Sequence, residues 1–361
     1  MRVLAISPSG DLPETQSLIG LHQRGVDMTV LHGAAAPNAH RLEEAQVPHA
    51  VLELRSRWDR HATRAIREHI HQLDPDIVHM FTNRAVQNGL RASKGLRPKL
   101  LAYRGIAGVE KVHDPISWLT FLNPRIDKII CVADAIRQHY LTLRLPGWRF
   151  PPDKAVTVYK GHDVSWYNQP AIARSELNVP DDATVVVCTV NDRPRKGLPY
   201  LIDACHQLAD LAQLHVLLVG NIDQGKYADT LARCRMRDRI HFTGFRRDVT
   251  QVIAAADICI LPATKREGLP RGIIEGMVNG VTPTVADAGG SPELIEHGKS
   301  GMIFAPADAG AIADTLRYLV EHPNQCKAMG AAAQQRIQND FHYTTTIAKT
   351  FDIYTELTAQ A

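Results

Sequence analysis

Short apolar runs alternate with helical patterns along the whole chain, and this alternation restricts the fold more than any other feature. The apolar runs of the first half are residues 1–7, 27–33, 76–81, 99–105 and 128–134. Residues 15–25 and 60–73, which lie between these runs, have the spacing of amphipathic helices. Buried strands that are joined by helices favour a parallel sheet with helices on its faces.

The alternation begins again after residue 165, which predicts a second sheet of the same kind. Its predicted strands are residues 183–190, 214–220, 239–245, 257–262 and 282–287, and its predicted helices are 198–211 and 226–235. A chain of 361 residues suits two domains of ordinary size. We expect an N-terminal domain over 1–167, a linker near 164–180, a C-terminal domain over 168–340, and a last helix over 341–361 that can return to the N-terminal domain.

The composition excludes several classes of protein. The chain is 45% hydrophobic and 22% charged, and no apolar run reaches the length of about 18 residues that predicts a membrane span. The first ten residues lack the length and cleavage site of a signal peptide. The six cysteines show no metal-ligand spacing and mostly lie in apolar runs, so we expect reduced core cysteines in a cytoplasmic protein.

A basic loop lies between the predicted strand 183–190 and the predicted helix 198–211. Its sequence, "NDRPRKG", contains Arg193, Arg195 and Lys196. Ligands of open α/β sheets bind at the carboxyl ends of strands, and cations at such a position can hold a phosphate. A solvated basic loop has the same composition, so the pattern alone leaves both interpretations open.

The segment "REGLPRGIIEGMVNG", residues 266–280, follows the predicted strand 257–262 and holds two carboxylates, Glu267 and Glu275. Pro270 suits the first turn of a helix, which places Glu267 in the loop above the helix start and Glu275 about a turn and a half into the helix. Such carboxylates can accept hydrogen bonds from sugar hydroxyls, while free amides at the helix start face a diphosphate. Two solvated glutamates near a positive helix end are the alternative.

The sequence "EGLPRGIIE" is similar to the E-x7-E signature of the retaining glycosyltransferases of family 4, which have the two-domain GT-B fold. Other segments resemble that family in the same order, namely "PDIVHMF", "DKIICVADAIRQ", "RPRKG", "TGF" and "AGGSPELIEHGKSGMIF". The likeness covers nearly the whole chain and is densest over 184–306. It implies an α/β GT-B fold with two doubly wound Rossmann-like domains facing a central cleft.

The resemblance also implies a role for each residue of these segments. Glu275 would bind the ribose of a nucleotide, Glu267 the hydroxyls of the donor sugar, and the basic loop the diphosphate. The catalytic residues would be Glu267, Arg193 and Lys196, and the donor-binding residues Glu275, Gly268, Leu269 and Gly10. The family uses a nucleotide sugar as donor and, in this interpretation, needs no cofactor and no metal.

The expected reaction is transfer of a hexosyl group to a glycan or lipid-linked glycan acceptor, in the biosynthesis of a cell-envelope polysaccharide such as lipopolysaccharide. Nucleic acid is not an expected partner. Two alternatives stay open, a GT-B nucleotide-sugar epimerase and a catalytically silent homologue that binds glycans.

Several residues depart from the family pattern. The loop after the first strand, "SPSGDLPET", has Gly10 alone where relatives often carry a Gly-Gly pair that meets the diphosphate. "KGHD", from Lys160 to Asp163, stands where the family often has Asn-Gly-x-Asp. Arg104 and Gly105 occupy the place of an acceptor-side histidine, so Arg104 would instead hold a phosphate or carboxylate of the acceptor.

Four further polar residues need an interpretation. Two histidines can have either a structural or a functional role, and two residues of the segment 291–293 are expected to have a structural role only. His79 either faces the ligand edge or is a satisfied residue at a strand end, and His162 serves either the linker or the site. Ser291 is predicted to cap a helix that begins at Pro292, which gives Glu293 a structural role in that cap.

The first half of the chain is basic. Residues 1–163 hold 22 Lys and Arg against 16 Asp and Glu, a net charge of +6 within a chain of net charge +3. The segment 54–70 contributes Arg55, Arg57, Arg60, Arg64 and Arg67 beside Trp58. This pattern is compatible with peripheral contact with an anionic membrane at its cytoplasmic face and equally with a solvated helix.

Overall fold

The computed structural model describes residues 1–167 and 169–359, which form two compact units. Unit 1 is Met1–Gly161 with Phe341–Ala361, and unit 2 is His162–Asp340. Each unit contains one parallel sheet with helices around it.

Unit 1 begins at the N-terminus and follows the predicted alternation closely. Its strands are β1 Arg2–Ile6, β2 Asp27–His32, β3 His49–Val51, β4 Ile77–Met80, β5 Lys99–Arg104, β6 Lys128–Cys131, β7 Arg144–Leu145, β8 Trp148–Arg149 and β9 Ala155–Thr157. Its helices before residue 161 are α1 Leu12–Gln23, α2 Ala39–Glu44, α3 Arg60–Leu73, α4 Asn83–Ala92, α5 Pro115–Trp118 and α6 Asp134–Thr142.

The sheet of unit 1 has the strand order β3-β2-β1-β4-β5-β6-β9, and all its described pairs are parallel. The order reverses between β1 and β4, where chain connections leave to opposite sides. In open α/β sheets such a switch point opens a crevice at the carboxyl ends of the strands. The short strands β7 and β8 form a separate antiparallel hairpin.

Local capping explains where the first helices begin. Helix α3 starts as predicted, because the Asp59 side chain accepts a hydrogen bond from the Ala62 amide at 3.0 Å. Helix α1 starts three residues earlier than predicted. Asp11 caps it by accepting from the Glu14 amide, and Pro13 fits the first turn, where its missing N–H costs nothing.

Unit 2 repeats the architecture with a six-stranded parallel sheet in the described residues. Its strands are β10 Thr184–Thr189, β11 Leu214–Val219, β12 Ile240–Gly244, β13 Ile258–Leu261, β14 Thr282–Ala286 and β15 Met302–Phe304. Its helices are α7 Leu198–Gln207, α8 Ala228–Arg233, α9 Val249–Ala254, α10 Arg271–Val278, α11 Ala309–Glu321 and α12 Pro323–Asp340. The order β12-β11-β10-β13-β14-β15 reverses between β10 and β13.

The last helix, α13 Tyr343–Ala359, packs into unit 1. Its buried residues Ile347, Tyr354 and Leu357 join one apolar cluster with Leu18 of α1 and Ile77 of β4. Burial of such side chains contributes about 1.5–3 kcal/mol each, which holds the helix on the unit that the chain left 180 residues earlier.

Some expectations need correction. The three-residue strands β3, β9 and β15 were not predicted, because each lies at or next to a sheet edge and is too short for an apolar run. Ser291 is not an N-cap. Gly290 holds that position, and the buried Ser291 hydroxyl has no hydrogen-bond partner in the described chain. The six cysteines are free and buried, as predicted.

Among residues 1–167 and 169–359, no helix combines the length and apolarity that crossing a membrane requires.

Candidate functional site

Three loops meet at the carboxyl edge of the unit 2 sheet, beside the switch point between β10 and β13. The Thr264 amide, after β13, donates a hydrogen bond to the Arg195 carbonyl, after β10, at 2.9 Å. The Gly290 amide, after β14, donates to the Glu267 carbonyl at 3.1 Å. These bonds fix the basic loop and the first carboxylate of the E-x7-E segment against each other.

Glu267 is the centre of this arrangement. It is 6% exposed, and its carboxylate lies 2.5 Å from Arg195 Nη1 and 3.0 Å from Lys196 Nζ. Both cations are themselves largely buried. A buried carboxylate is tolerated when it is paired in this way, because the opposite charges offset the desolvation of each group.

The backbone around Glu267 is under unusual constraint. Arg266 has φ of 62°, a left-handed backbone conformation that residues other than glycine rarely adopt. Gly289 also has φ of 62°, and a Cβ there would lie 2.3 Å from the Glu267 carbonyl oxygen. Strained residues persist where their surroundings over-determine them, and such residues cluster at ligand sites.

Helix α10 begins directly after this loop. Pro270 occupies the N-cap position without a side-chain cap, and the amides of Gly268 and Leu269 donate no hydrogen bond within the described residues. Gly268 and Leu269 lie just before the helix, and backbone amides without an acceptor in the protein can donate to an anion or to a sugar oxygen.

Glu275 lies inside α10 and is 2% exposed. Arg271 Nε donates to its Oε1 at 2.6 Å, while the Arg271 side chain itself is 69% exposed. Burial raises the pKa of Glu275, and the neighbouring Arg271 acts in the opposite direction. A carboxylate anchored on one oxygen by a surface arginine keeps its second oxygen available to a ligand hydroxyl.

The two arginines of the basic loop have different environments in the structure. Arg193 is exposed, and its side chain has no partner among the residues described. Arg195, which the predicted site omits, is the one that holds Glu267. The preceding Asp192 anchors the loop by accepting from Lys226 Nζ at 2.6 Å and the Tyr227 hydroxyl at 2.7 Å, which lower the pKa of Asp192.

In unit 1, the loop after β1 and the segment from Lys160 to Asp163, which both depart from the family pattern, contact each other. Lys160, from "KGHD", forms ion pairs with Asp11 and with Glu14, the latter at 3.0 Å, in the loop and helix start after β1. Gly10, with φ of 50°, packs so closely on Ala36 that an added Cβ would lie 2.7 Å from the alanine Cβ. The role of Gly10 in donor binding stays a prediction.

Arg104 is not free to hold an acceptor anion. It is 3% exposed, pairs with the equally buried Glu110 at 2.7 Å, and lies over the Phe121 ring at 4.6 Å. It also donates to Asn83 Oδ1 at 2.9 Å. Its positive charge is therefore neutralised within the protein.

The two histidines that the sequence singles out are both buried. His79 Nδ1 lies 2.8 Å from the hydroxyl of Tyr354 on α13, and burial lowers the pKa of His79 to about 3. His162 Nδ1 lies 2.6 Å from the hydroxyl of Tyr167. His79 thus belongs to the core of unit 1.

The basic segment 54–70 is divided by the start of α3. Arg55, Arg57 and Trp58 precede the helix, so the five arginines do not share one helical face. Within the helix, Arg67 donates to the carbonyls of Ala92 and Lys94 at 2.8 and 2.9 Å.

No group of three or more His, Cys, Asp and Glu side chains in residues 1–167 and 169–359 has the arrangement of a metal site.

Known structures share the architecture over the full chain. A glycosyltransferase from Rickettsia africae matches all of this chain and 99% of its own, with a TM-score of 0.80 and 19% identity. Anabaena Alr3699/HepE in complex with UDP matches 99% of this chain and 100% of its own, with a TM-score of 0.77 and 22% identity. With the two doubly wound sheets, these matches define a GT-B fold, as predicted.

Sequence comparison gives the family. Residues 171–336 match the family described as glycosyl transferases group 1, and residues 18–166 match glycosyltransferase family 4. The chain therefore belongs to the group 1, family 4 glycosyltransferases, which confirms the resemblance.

A curated relative shares part of the sequence. It is the GDP-mannose-dependent alpha-(1-6)-phosphatidylinositol monomannoside mannosyltransferase of Mycobacterium tuberculosis, 27% identical over 207 residues. The aligned region spans 53% of this chain and 53% of that relative, so about half of each protein is compared.

Proposed function

We propose that the chain is a retaining glycosyltransferase that moves a hexosyl group from a nucleotide-diphosphate sugar to a glycan or lipid-linked glycan. The observation that carries the proposal is the unit 2 cluster, in which Lys196 pairs with Glu267. The next two amides, of Gly268 and Leu269, donate no hydrogen bond within the described residues, and the helix that follows carries the buried Glu275. Glu267 and the adjacent amides suit the hydroxyls of the donor sugar, and Glu275 suits the ribose of the nucleotide.

The diphosphate is the part of the donor that needs cations. Arg193 is exposed and without a partner among the described residues, and Lys196 is bonded to a carboxylate that a ligand can replace. These two side chains neutralise the diphosphate, while Arg195 keeps Glu267 in position for the sugar. Two cations and helix-start amides supply the electrostatic stabilisation for which other enzymes use a divalent metal.

In the reaction, the bond between the anomeric carbon and the diphosphate oxygen breaks, and a bond to an acceptor oxygen forms on the same face. The acceptor proton passes to an oxygen of the departing phosphate. Negative charge that develops on the leaving group is stabilised by Arg193 and Lys196. No protein nucleophile takes part in this route.

The relative's name includes a phosphatidylinositol monomannoside, and with the basic unit 1 it supports a lipid-linked acceptor. We extend this to a role in the biosynthesis of a cell-envelope polysaccharide such as lipopolysaccharide. Arg55, Arg57 and Trp58 are exposed, which suits peripheral contact with an anionic membrane from the cytoplasm. The nucleotide is proposed only as a class, since the relatives' names include GDP-mannose and UDP.

Calorimetric titration of UDP, GDP and ADP, each with and without a chelator, tests the donor site. A hydrogen bond from ribose to a charged acceptor contributes about 1.5–3 kcal/mol, so Glu275→Ala should weaken the preferred nucleotide roughly 10- to 100-fold. Glu321→Ala, on the exposed face of α11, is the matched control and should bind like wild type.

The outcomes separate the alternatives. Binding of one nucleotide that survives the chelator and is weakened about 10-fold or more in Glu275→Ala supports a metal-independent donor site. If no nucleotide binds wild type, the proposal of an active transferase is wrong, and a silent glycan-binding homologue replaces it. Product stereochemistry, read from the anomeric proton coupling, tests retention.

A further inference from the structure

The residue before Glu267 has a backbone conformation that its own side chain disfavours. Arg266 has φ of 62°, in the left-handed region, where the Cβ of a residue other than glycine comes too close to the following carbonyl oxygen. Most of the described residues with positive φ are glycine, and Asp74 and Asn178 are of the two types that tolerate this region. Arginine lacks that tolerance, so glycine at position 266 would give a more stable loop.

The surroundings of Arg266 hold this conformation in place. Its carbonyl oxygen accepts a hydrogen bond from Arg195 Nη1 at 3.3 Å, and the same guanidinium pairs with Glu267. The next carbonyl, that of Glu267, accepts from the Gly290 amide at 3.1 Å. The backbone is therefore bonded at two successive carbonyl groups. Strain that persists in such a setting indicates a function for the residue that bears it.

The Arg266 side chain has a free positive charge. It is exposed, as is that of the preceding Lys265, and neither has a hydrogen-bond or ion-pair partner in residues 1–167 and 169–359. The two carboxylates of the segment 266–275, by contrast, already have cationic partners. Two adjacent like charges repel each other, and an anion that binds between them removes this repulsion.

The proposed donor, if its sugar is neutral, supplies no such anion. Each phosphate of its diphosphate carries one negative charge, and Arg193 and Lys196 neutralise these in the proposed site. A carboxylate on the transferred sugar would supply the missing charge, and a guanidinium binds a carboxylate through two parallel N–H groups. Glu267, the next residue, is the proposed partner of the sugar hydroxyls. Arg266 therefore adjoins the sugar end of the donor.

We infer that Lys265 and Arg266 bind the carboxylate of a hexuronic acid, so that the donor is a nucleotide-diphosphate uronate. Arg266 is then the residue that determines this specificity. The inference rests on the proposed function and narrows its hexosyl group to a hexuronosyl group. The strain at Arg266 is offset when the guanidinium meets the carboxylate, which explains why glycine does not occupy the position.

Calorimetric titration of matched donors tests the inference. The pairs are UDP-glucose with UDP-glucuronate, UDP-galactose with UDP-galacturonate and GDP-mannose with GDP-mannuronate, and free UDP and GDP are the references. At least one uronate should bind wild type about 10-fold more tightly than its neutral partner, because it adds a charge-assisted hydrogen bond. Arg266→Gly and Arg266→Asn should abolish this preference and leave neutral donors unaffected, since both residues tolerate the left-handed backbone. Lys265→Ala should reduce the preference.

Thermal unfolding distinguishes loss of binding from loss of structure. Arg266→Gly should raise the unfolding midpoint by about 2–4 °C, because it removes the backbone strain. Gln46→Gly is the matched control, since Gln46 is exposed, lies in unit 1 and has φ of 54°. It should raise the midpoint similarly and keep the preference for the uronate. A lower midpoint in Arg266→Gly would refute the assigned strain.

The binding outcomes separate this inference from the proposed function. The inference is overturned if no uronate binds more tightly than its neutral partner, or if the preference persists in both Arg266 variants. It is also overturned if these variants weaken free UDP or GDP as strongly as the uronate, which would place Arg266 on the diphosphate. In all three cases the nucleotide still binds, and the proposed transferase stands. If wild type binds no nucleotide, the proposed function and the inference are both wrong.

Discussion

Replacing Gly289 with alanine should displace Glu267 without touching any side chain of the cluster. The added Cβ would lie 2.3 Å from the Glu267 carbonyl oxygen and 2.8 Å from its amide nitrogen. Ordinary contacts of a Cβ begin near 3.4 Å, so the Glu267 backbone must retreat by about 1 Å. That retreat breaks or weakens the 3.1 Å hydrogen bond from the Gly290 amide.

The loss of stability expected for Gly289→Ala has two contributions, and a second glycine of the chain provides a control for one of them. A left-handed backbone costs alanine about 1–2 kcal/mol, and loss of one hydrogen bond adds about 0.5–1.5 kcal/mol. Gly280 has φ of 70°, but nothing lies within 4 Å of an added Cβ. Gly280→Ala should therefore lower the stability only by the cost of the left-handed backbone. Gly289→Ala should lower it by about 1 kcal/mol or more in addition.

Hydrogen exchange of the β13–β14 segment in low denaturant measures the local opening free energy of both variants. Donor turnover, followed with the nucleotide sugar that wild type uses, should fall about 100-fold in Gly289→Ala, since displacements of about 1 Å have such effects. Gly280→Ala should turn over donor normally and leave UDP affinity unchanged. Equal destabilisation of the two variants, or normal turnover in Gly289→Ala, would refute the assigned contact and the role of Glu267.

Two other predictions concern charge. Arg195→Ala should lower turnover more than it lowers UDP affinity, because Arg195 positions Glu267. Arg193→Ala should weaken UDP instead, and calorimetry with donor kinetics on both variants distinguishes these effects. Burial holds the pKa of His79 near 3, against 6.5 in an unfolded chain, so the unfolded state binds the proton first as pH falls. The stability present above pH 6.5 should decline by about 1.4 kcal/mol per pH unit below it. Urea unfolding across pH should show that slope in wild type and a shallower one in His79→Gln; identical slopes would contradict the burial of a neutral imidazole.

Much of the fold could be predicted from the sequence, because apolar runs, helix caps and helical spacing are signals that each element carries in its own residues. Five apolar runs in each half became strands, and helix α3 has the predicted bounds because Asp59 caps it and a three-four apolar spacing continues to Leu73. The placement of Glu267 in a loop and Glu275 inside a helix followed from Pro270 and helix periodicity. Three-residue edge strands lack such signals, since their pairing partners rather than their own residues define them.

Contacts between distant residues could not be read from the sequence. Lys160 meets Asp11 across 149 positions, and Arg104 meets Asn83 from another strand end. Arg193 and Arg195 illustrate the same limit at short range. Two arginines in one loop have equal local character, and the sequence does not show that Arg195, whose carbonyl accepts from the Thr264 amide, is the one that reaches the carboxylate.

The ion pairs of Glu267 also constrain how a donor can bind. Lys196 Nζ lies 3.0 and 3.1 Å from the two carboxylate oxygens, so a diphosphate that binds Lys196 must compete with a partner already in place. Arg195 remains bonded to Glu267 after that exchange, which keeps the carboxylate from becoming a buried unpaired charge. Release of Lys196 at the same time frees one carboxylate oxygen for a sugar hydroxyl. In the proposed donor site, one shared lysine would therefore couple neutralisation of the diphosphate to recognition of the sugar, and a nucleotide without the sugar should bind with the Glu267 oxygen left unsatisfied.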